Sequence, residues 1–158
     1  MGDFRNGSLF NKAAGADCAT AGPAVVPSTT KRRGDAAEAL ALTHLQRQGL
    51  GLVQRNFKTP GRGGGEIDLI MREADGTVVF VEVRQRAGAS RGGAGGSITP
   101  VKQQRIILAA RHFLLQLGSE PPCRFDVVLV DGRLSPDGTG TGAQVAWLRA
   151  AFDASATF

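Results

Sequence analysis

The most constraining feature of this chain is a pair of strand-like segments, residues 66–72 and 77–86, each with one carboxylate inside an apolar alternation. The connection Ala74-Asp75-Gly76 is typical of a β-hairpin whose last loop residue is left-handed. With this three-residue loop, Asp68 lies directly opposite Glu82 on one face of the hairpin. A two-residue loop would shift the register by one residue and send Glu82 to the far face. A three-residue loop is therefore the first structural prediction.

The alternation of side chains along a strand predicts which residues share each face of this hairpin. One face should hold Glu66, Asp68 and Ile70 with Phe80, Glu82, Arg84 and Arg86, and the other should hold Ile67, Leu69 and Met71 with Val79, Val81 and Val83. Each strand thus places an acid in an otherwise apolar neighbourhood.

Two carboxylates on neighbouring strands repel each other, and the pKa of one is raised unless a cation neutralises the pair. Mg²⁺, or Mn²⁺ in its place, is commonly held by one or two carboxylates together with a substrate phosphate. Asp68 and Glu82 are therefore candidate metal ligands for phosphodiester chemistry. The alternative is an exposed ladder of ion pairs with Arg84 and Arg86, which would contribute little to stability.

Two charged residues lie on apolar stripes of predicted helices. Glu38 shares a stripe with Ala41 and Leu45, so it should face the sheet, where a carboxylate is costly unless it is paired or binds a metal. Its position near the helix start also suits the helix dipole, which is the alternative explanation. Lys102 lies in line with Ile106 and either reaches a site at the sheet edge or extends to solvent.

The order of the predicted elements indicates an α/β sandwich around a mixed sheet. They are a helix over 35–48, strands over 51–58, 66–72 and 77–86, a helix from the N-cap Thr99 to the stop at Gly118, and strands over 124–131 and 143–149. Residues 1–33 are expected to form a disordered leader, 34–153 one α/β domain and 154–158 a tail. Glycine-rich runs around Arg62 and Arg91 flank the hairpin and could hold phosphates or act as plain linkers.

The charge distribution bounds the class of partner. The net charge is +5, and residues 47–111 carry eleven basic and five acidic side chains. This excess predicts a nucleic-acid partner, although a solvated basic surface is the alternative. No apolar run approaches the roughly 20 residues that span a bilayer, and no signal peptide is visible, so a cytoplasmic location with no membrane partner is expected. Two histidines and two cysteines provide poorly for zinc chemistry.

Six blocks of residues, taken in order, resemble the YraN family of small bacterial proteins. They are Gly34-x-x-x-Glu38, Gly65-Glu66-Ile67-Asp68-Leu69-Ile70, Val79-Phe80-Val81-Glu82-Val83-Arg84, Thr99-Pro100-x-Lys102-Gln103, Arg124-Phe125-Asp126-Val127-Val128, and Trp147 with Ala151-Phe152. The resemblance spans the chain from Gly34 to Phe152 and leaves out the leader.

The resemblance implies a restriction-endonuclease-like sandwich and a nuclease similar to Holliday-junction resolvases, which act as dimers. On this basis Asp68 and Glu82 would bind Mg²⁺ or Mn²⁺ with the carbonyl of Val83 as a third ligand. Glu38 would be an auxiliary acid, and Lys102 and Gln103 would be supporting groups. Arg84 stands where such nucleases usually have lysine. Arginine stays charged and cannot act as a general base, but it can bind the scissile phosphate.

Three hypotheses follow for function. The first is a metal-dependent endonuclease acting on DNA, with Glu38, Asp68, Glu82, Arg84 and Lys102 in the active site. The second is a non-catalytic nucleic-acid-binding module on the same fold, whose binding would survive replacement of Asp68. The third is a protein-interaction module, which would show no salt-dependent binding to nucleic acid.

Overall fold

The computed structural model describes residues 29–61, 63–86, 98–132 and 142–154. Its elements are α1 (Thr29–Arg47), β1 (Gly51–Lys58), β2 (Glu66–Arg72), β3 (Val78–Arg86), α2 (Pro100–Leu117), β4 (Cys123–Asp131) and β5 (Gln144–Phe152). This is a mixed α/β fold, as the sequence predicted. Within these residues, neither helix combines the length and the apolar character needed to cross a membrane.

The five strands form one open sheet in the order β1-β2-β3-β4-β5. Neighbouring strands are antiparallel except β3 and β4, which run parallel and are joined through α2. The two helices cover opposite faces of the sheet, because they pack into two separate apolar clusters. Ala37, Ala41 and Leu45 of α1 lie in one cluster, and Ile106 and Phe113 of α2 lie in the other. We call these sides the α1 face and the α2 face.

The predicted boundaries hold closely for α2 and less well for α1. Thr99 caps α2, its Oγ1 accepting a hydrogen bond from the Lys102 N–H at 3.4 Å, and Gly118 ends the helix with a left-handed φ of 67°. By contrast, α1 begins at Thr29, so part of the predicted leader is helical. Lysine and arginine are good helix formers, and an exposed first turn needs no apolar stripe. Residues 1–28 and 155–158 lie outside the described residues, as do Arg62 and Arg91.

The hairpin has the predicted three-residue loop. The Glu73 N–H donates to the Thr77 carbonyl at 2.9 Å, and Gly76 is left-handed with a φ of 92°. Leu69 pairs with Val81, which is the register that places Asp68 across from Glu82. The loop length therefore identified the register correctly.

The prediction that Ile67 shares a face with Leu69 and Met71 is wrong. Leu69 and Met71 lie in the cluster on the α1 face, as expected, but Ile67 packs with Ile70 in the cluster on the α2 face. The alternation of β2 is therefore interrupted between Ile67 and Leu69. The interruption falls at Asp68, where the candidate site lies.

Candidate metal and phosphodiester site

Asp68 lies where β2 and β3 stop pairing. The ladder between these strands ends at the pair Leu69 and Val81, although both strands continue beyond it. The Val83 N–H donates to Oδ2 of Asp68 at 2.7 Å. A side-chain carboxylate thus replaces the backbone carbonyl that a continued ladder would offer. This contact holds the Asp68 carboxylate at the gap between the two strands.

Glu82 faces the α2 side of this gap. Its side chain is only 10% exposed, and Nζ of Lys102 lies 3.2 Å from its Oε2. That oxygen is buried, and its contact with Lys102 is an ion pair that lacks hydrogen-bond geometry. Burial and the charge of Asp68 raise the pKa of Glu82 to about 7, although Lys102 and Arg84 oppose the shift. This carboxyl group therefore exchanges its proton near neutral pH.

Burial also raises the pKa of Asp68 above its usual value. The hydrogen bond from the Val83 N–H and the charge of Lys102 act in the opposite direction. Each of the two carboxyl groups acts on the pKa of the other, so they lie close together at the gap. Such a pair cannot carry two full negative charges without a neutralising cation or a shared proton.

Glu38 approaches the same gap from the α1 face. Its side chain is 15% exposed, and its nearest ion-pair partner is Nη2 of Arg55 at 3.8 Å. Oε2 of Glu38 is buried and has no hydrogen-bond partner among the described residues. Burial and the charge of Asp68 raise the pKa of Glu38, while Asn56 and Arg55 lower it. The sequence prediction that Glu38 faces the sheet is therefore confirmed.

The position of Lys102 depends on close packing between α2 and the start of β2. A Cβ added to Gly65 would lie 1.8 Å from the Arg105 carbonyl oxygen, so only glycine permits this approach. Gln103, which the resemblance made a supporting group, donates from Nε2 to the Ile98 carbonyl at 3.0 Å. Its contact anchors the beginning of α2 and does not reach the carboxylates. Lys102 is 36% exposed and is the α2 side chain that pairs with Glu82.

The structure thus brings together Glu38, Asp68, Glu82 and Lys102, which are four of the predicted catalytic residues. Arg84 is half-buried, and its charge acts on Glu82. For Val83, the contact seen is the hydrogen bond from its N–H to Asp68. Its carbonyl stays a predicted ligand.

Sequence reasoning missed a second polar cluster at the other end of the hairpin. Asp126 is fully buried and accepts four hydrogen bonds. The donors are Nε and Nη2 of Arg124 at 2.8 and 3.1 Å, Nε1 of Trp147 at 2.9 Å and the Ala150 N–H at 2.9 Å. Arg124 also bonds Glu73 through Nη1 and Nη2 at 3.3 and 2.9 Å. These hydrogen bonds satisfy the buried Asp126 carboxylate within the fold, which indicates a structural role.

Within the described residues, no group of three or more His, Cys, Asp or Glu side chains could hold a metal ion unaided. The donor set at the gap is instead a carboxylate pair, Asp68 and Glu82, with buried oxygen and raised pKa. A hard divalent cation that keeps several waters needs only one or two carboxylates. The chemistry of this donor set therefore fits Mg²⁺ or Mn²⁺.

Fold and site together define an α/β protein with helices on both faces of an open mixed sheet and a buried carboxylate pair where two strands separate. The model of the family described as "Uncharacterised protein family UPF0102" matches residues 37–130. The chain belongs to this family, which is the YraN family of the sequence resemblance.

Relatives of this family from several bacteria align over most of their length. A UPF0102 protein of Polaromonas naphthalenivorans (strain CJ2) is 62% identical over 136 residues, covering 85% of this chain and 88% of the relative. One from Methylibium petroleiphilum (strain ATCC BAA-1232 / LMG 22953 / PM1) is 54% identical over 130 residues, covering 80% and 98%. The alignments thus take in both helices and the hairpin of the candidate site.

Proposed function

We propose that this protein is a metal-dependent endonuclease that cleaves DNA phosphodiesters. The observation that carries the proposal is the position of Asp68 and Glu82, two largely buried carboxyl groups of raised pKa, at the point where the ladder between β2 and β3 ends. Burying two acids together costs free energy, and the hydrogen bond from the Val83 N–H accounts for Asp68 but not for Glu82 beside it. The mixed sheet with helices on both faces is compatible with the restriction-endonuclease-like class and supports the proposal.

Each residue of the cluster would have a separate task. Asp68 and Glu82 would hold Mg²⁺ or Mn²⁺, which lowers the pKa of bound water and stabilises charge on a phosphate. Arg84, on the same strand as Glu82, would bind the phosphate of the scissile bond. Lys102 would balance the charge that develops on the phosphate or the leaving oxygen. Glu38 would orient water from the α1 face.

Arg84 has a consequence for proton transfer. Arginine does not lose its proton, so it cannot accept one from the attacking water. Glu38 is not one of the proposed cation ligands, and burial raises its pKa, so Glu38 is the carboxylate of the cluster that would accept the proton from water. The site therefore has a proton acceptor even though lysine is replaced at position 84.

The direct test is titration of Mg²⁺ and Mn²⁺ by calorimetry, with and without a branched DNA junction, in the wild type and in Asp68→Asn. We expect saturable binding that Asp68→Asn abolishes, followed by cleavage of the junction by the wild type. Glu66→Gln is the matched control, because Glu66 lies two residues away, is 42% exposed and pairs with Lys58 at 3.0 Å. Glu66→Gln should bind the cation as the wild type does. Absence of binding in the wild type, even with the junction, would reject the proposal.

The second candidate function is DNA binding without catalysis, by a module of the same fold. It is favoured by the finding that no three acidic, histidine or cysteine side chains of the described residues form a metal-binding group. It predicts salt-dependent DNA binding that Asp68→Asn leaves intact and that needs no divalent cation. A protein-interaction module would instead show no DNA binding at low salt.

Sedimentation of the free protein would test the dimer that the resemblance implies.

A further inference from the structure

Asn56 has an unusual backbone conformation for a residue inside a strand. Its φ is 50°, in the left-handed region, and β1 continues on both sides of it. L-residues other than glycine rarely adopt this conformation, and asparagine is among those that tolerate it best. A strained residue inside a strand requires a local reason.

The strand changes face at Asn56. Arg55 lies on the α1 face, where it pairs with Glu38, whereas Phe57 lies on the α2 face, with its ring 5.6 Å from that of Phe113. In a regular strand, residues two apart point to the same face. The left-handed residue between them therefore rotates the chain.

The neighbouring strand changes face at the same level of the sheet. Arg55 pairs with Leu69 and Phe57 pairs with Ile67, so Asn56 lies opposite Asp68. Leu69 belongs to the cluster on the α1 face and Ile67 to the cluster on the α2 face. The rotation thus passes through both strands, and Asp68 occupies the turning point in β2. This is the position from which its carboxylate reaches the Val83 N–H.

We propose that Asn56 is a positioning residue for the carboxylate cluster. Its left-handed backbone rotates β1 and the paired segment of β2, and this rotation directs the Asp68 carboxylate into the gap between β2 and β3. Its amide side chain also lowers the pKa of Glu38, so one residue acts on two acids of the cluster. The consequence for cation binding rests on the proposed function, but the placement of Asp68 does not.

The backbone and the side chain of Asn56 make different predictions for substitution. Glycine adopts positive φ without strain but has no amide for Glu38. Alanine disfavours positive φ and also lacks the amide. Asn56→Gly should therefore retain the position of Asp68, and Asn56→Ala should lose it. Gln54→Ala, on the same exposed strand, is the matched control for loss of a polar side chain.

The test is amide hydrogen exchange followed by NMR on the protein without added metal. The Val83 amide reports the bond to Asp68, and the Glu73 amide, which bonds Thr77 at the loop end of the same hairpin, is the internal reference. In Asn56→Ala we expect protection of Val83 to fall about tenfold relative to Glu73, since left-handed alanine is strained. In Asn56→Gly and Gln54→Ala the ratio should stay within about threefold of the wild type. Thermal denaturation of each variant verifies that it is folded.

The outcomes separate this inference from the proposed function. An unchanged Val83-to-Glu73 ratio in folded Asn56→Ala, or an equal loss in Asn56→Gly, would overturn the positioning role. If Asn56→Ala does not fold, Asn56→Gly decides alone: a wild-type ratio supports the role, and a lost ratio overturns it. Calorimetry with Mn²⁺ then tests the site itself. Selective loss of Val83 protection without any cation binding in the wild type would support the positioning role and reject the nuclease proposal.

Discussion

The two ends of the β2–β3 hairpin carry two polar clusters that differ in how well their hydrogen bonds are satisfied. At the loop end, Asp126 is completely buried and accepts four hydrogen bonds, and its partner Arg124 also binds Glu73. At the open end, Asp68 and Glu82 lie close together, and Glu38 approaches them from α1. Buried oxygens of Glu38 and Glu82 have no hydrogen-bond partner among the described residues.

The pKa values of the carboxyl groups also differ between the two ends of the hairpin. Hydrogen bonds from Arg124 hold the pKa of Glu73 below its usual value, and Asp126 and Glu73 together raise the pKa of Arg124. At the open end, burial raises the pKa of Glu38, Asp68 and Glu82. A satisfied ionic cluster stabilises its charges within the fold. At the open end the carboxyl groups keep raised pKa values even beside Lys102 and Arg55, which favours binding of a proton or a cation. This contrast is why we assign structure to the first and function to the second.

The largest expected effect is loss of stability when Asp126 is replaced by alanine. The substitution leaves the Trp147 N–H, the Ala150 N–H and part of Arg124 without their acceptor. Removing one partner of a buried ion pair costs about 3–5 kcal/mol. Urea denaturation at pH 7 should show this loss of unfolding free energy. A loss below about 1 kcal/mol, the range of an exposed ion pair, would remove the distinction between the two clusters.

Replacing Glu82 by glutamine should raise the unfolding free energy above pH 7, whereas replacing Asp126 should lower it. The pKa of Glu82 in the folded protein is about 7, which lies above its usual value of 4.5. The unfolded chain therefore releases this proton first, and stability falls as the pH rises from about 4.5 to 7 and then levels off. Glu82→Gln removes the ionisable group and should flatten this part of the profile. At pH 8 it should be more stable than the wild type by about 1–3 kcal/mol, with little difference at pH 4.

The measurement is urea denaturation of wild type and Glu82→Gln at several pH values between about 4 and 8, the range in which this group titrates. Glu66→Gln serves as the control, because Glu66 is exposed and pairs with Lys58. Its profile should follow that of the wild type. A profile for Glu82→Gln that is parallel to the wild type would contradict the raised pKa and weaken the functional assignment of the open end.

Local signals predicted the parts of the site that depend on neighbouring residues. The loop Ala74-Asp75-Gly76 specified the register that sets Asp68 across from Glu82, because a left-handed glycine closes three-residue hairpins. The cap at Thr99 and the stop at Gly118 located α2 and hence Lys102. These features involve residues close in sequence, so composition and spacing suffice to predict them.

The missed features depend on pairing between distant segments. Asp126 is one polar residue within an apolar strand, and two of its partners, Trp147 and Ala150, come from β5. Its third partner, Arg124, also bonds Glu73 at the loop end of the hairpin. Asn56 has an ordinary strand environment in sequence, and its conformation matters only because Asp68 lies opposite it. The same rotation placed Ile67 on the unexpected face. A period-two pattern cannot reveal a rotation shared by two strands.

A smaller effect is expected when Gly65 is replaced by alanine. The added methyl group would collide with the Arg105 carbonyl, so α2 must move away from β2. Overpacking of this kind costs about 1–3 kcal/mol. Because Lys102 lies one turn before Arg105, its contact with Glu82 should also loosen. Urea denaturation measures the first effect, and a shift of the Glu82 titration in NMR to higher pH measures the second. Gly34→Ala, where no atom lies within 4 Å of the added methyl, is the control.

The smallest effects are expected from glycine substitutions at Ala150 and Asn56, the left-handed residues beside the two clusters. Ala150, with a φ of 47°, donates its N–H to Asp126, and its side chain is exposed. Ala150→Gly keeps that N–H and removes the strain, so we expect a gain of about 0.5–1 kcal/mol in unfolding free energy, after the greater entropy of unfolded glycine is counted. Asn56→Gly removes less strain, because asparagine tolerates the left-handed region better than alanine, and it also removes the amide that lowers the pKa of Glu38, so its gain should be smaller. Thermal denaturation of both variants measures the difference. Equal gains would show that the Asn56 amide adds nothing to stability. They would also show that this amide does not stabilise the open-end cluster.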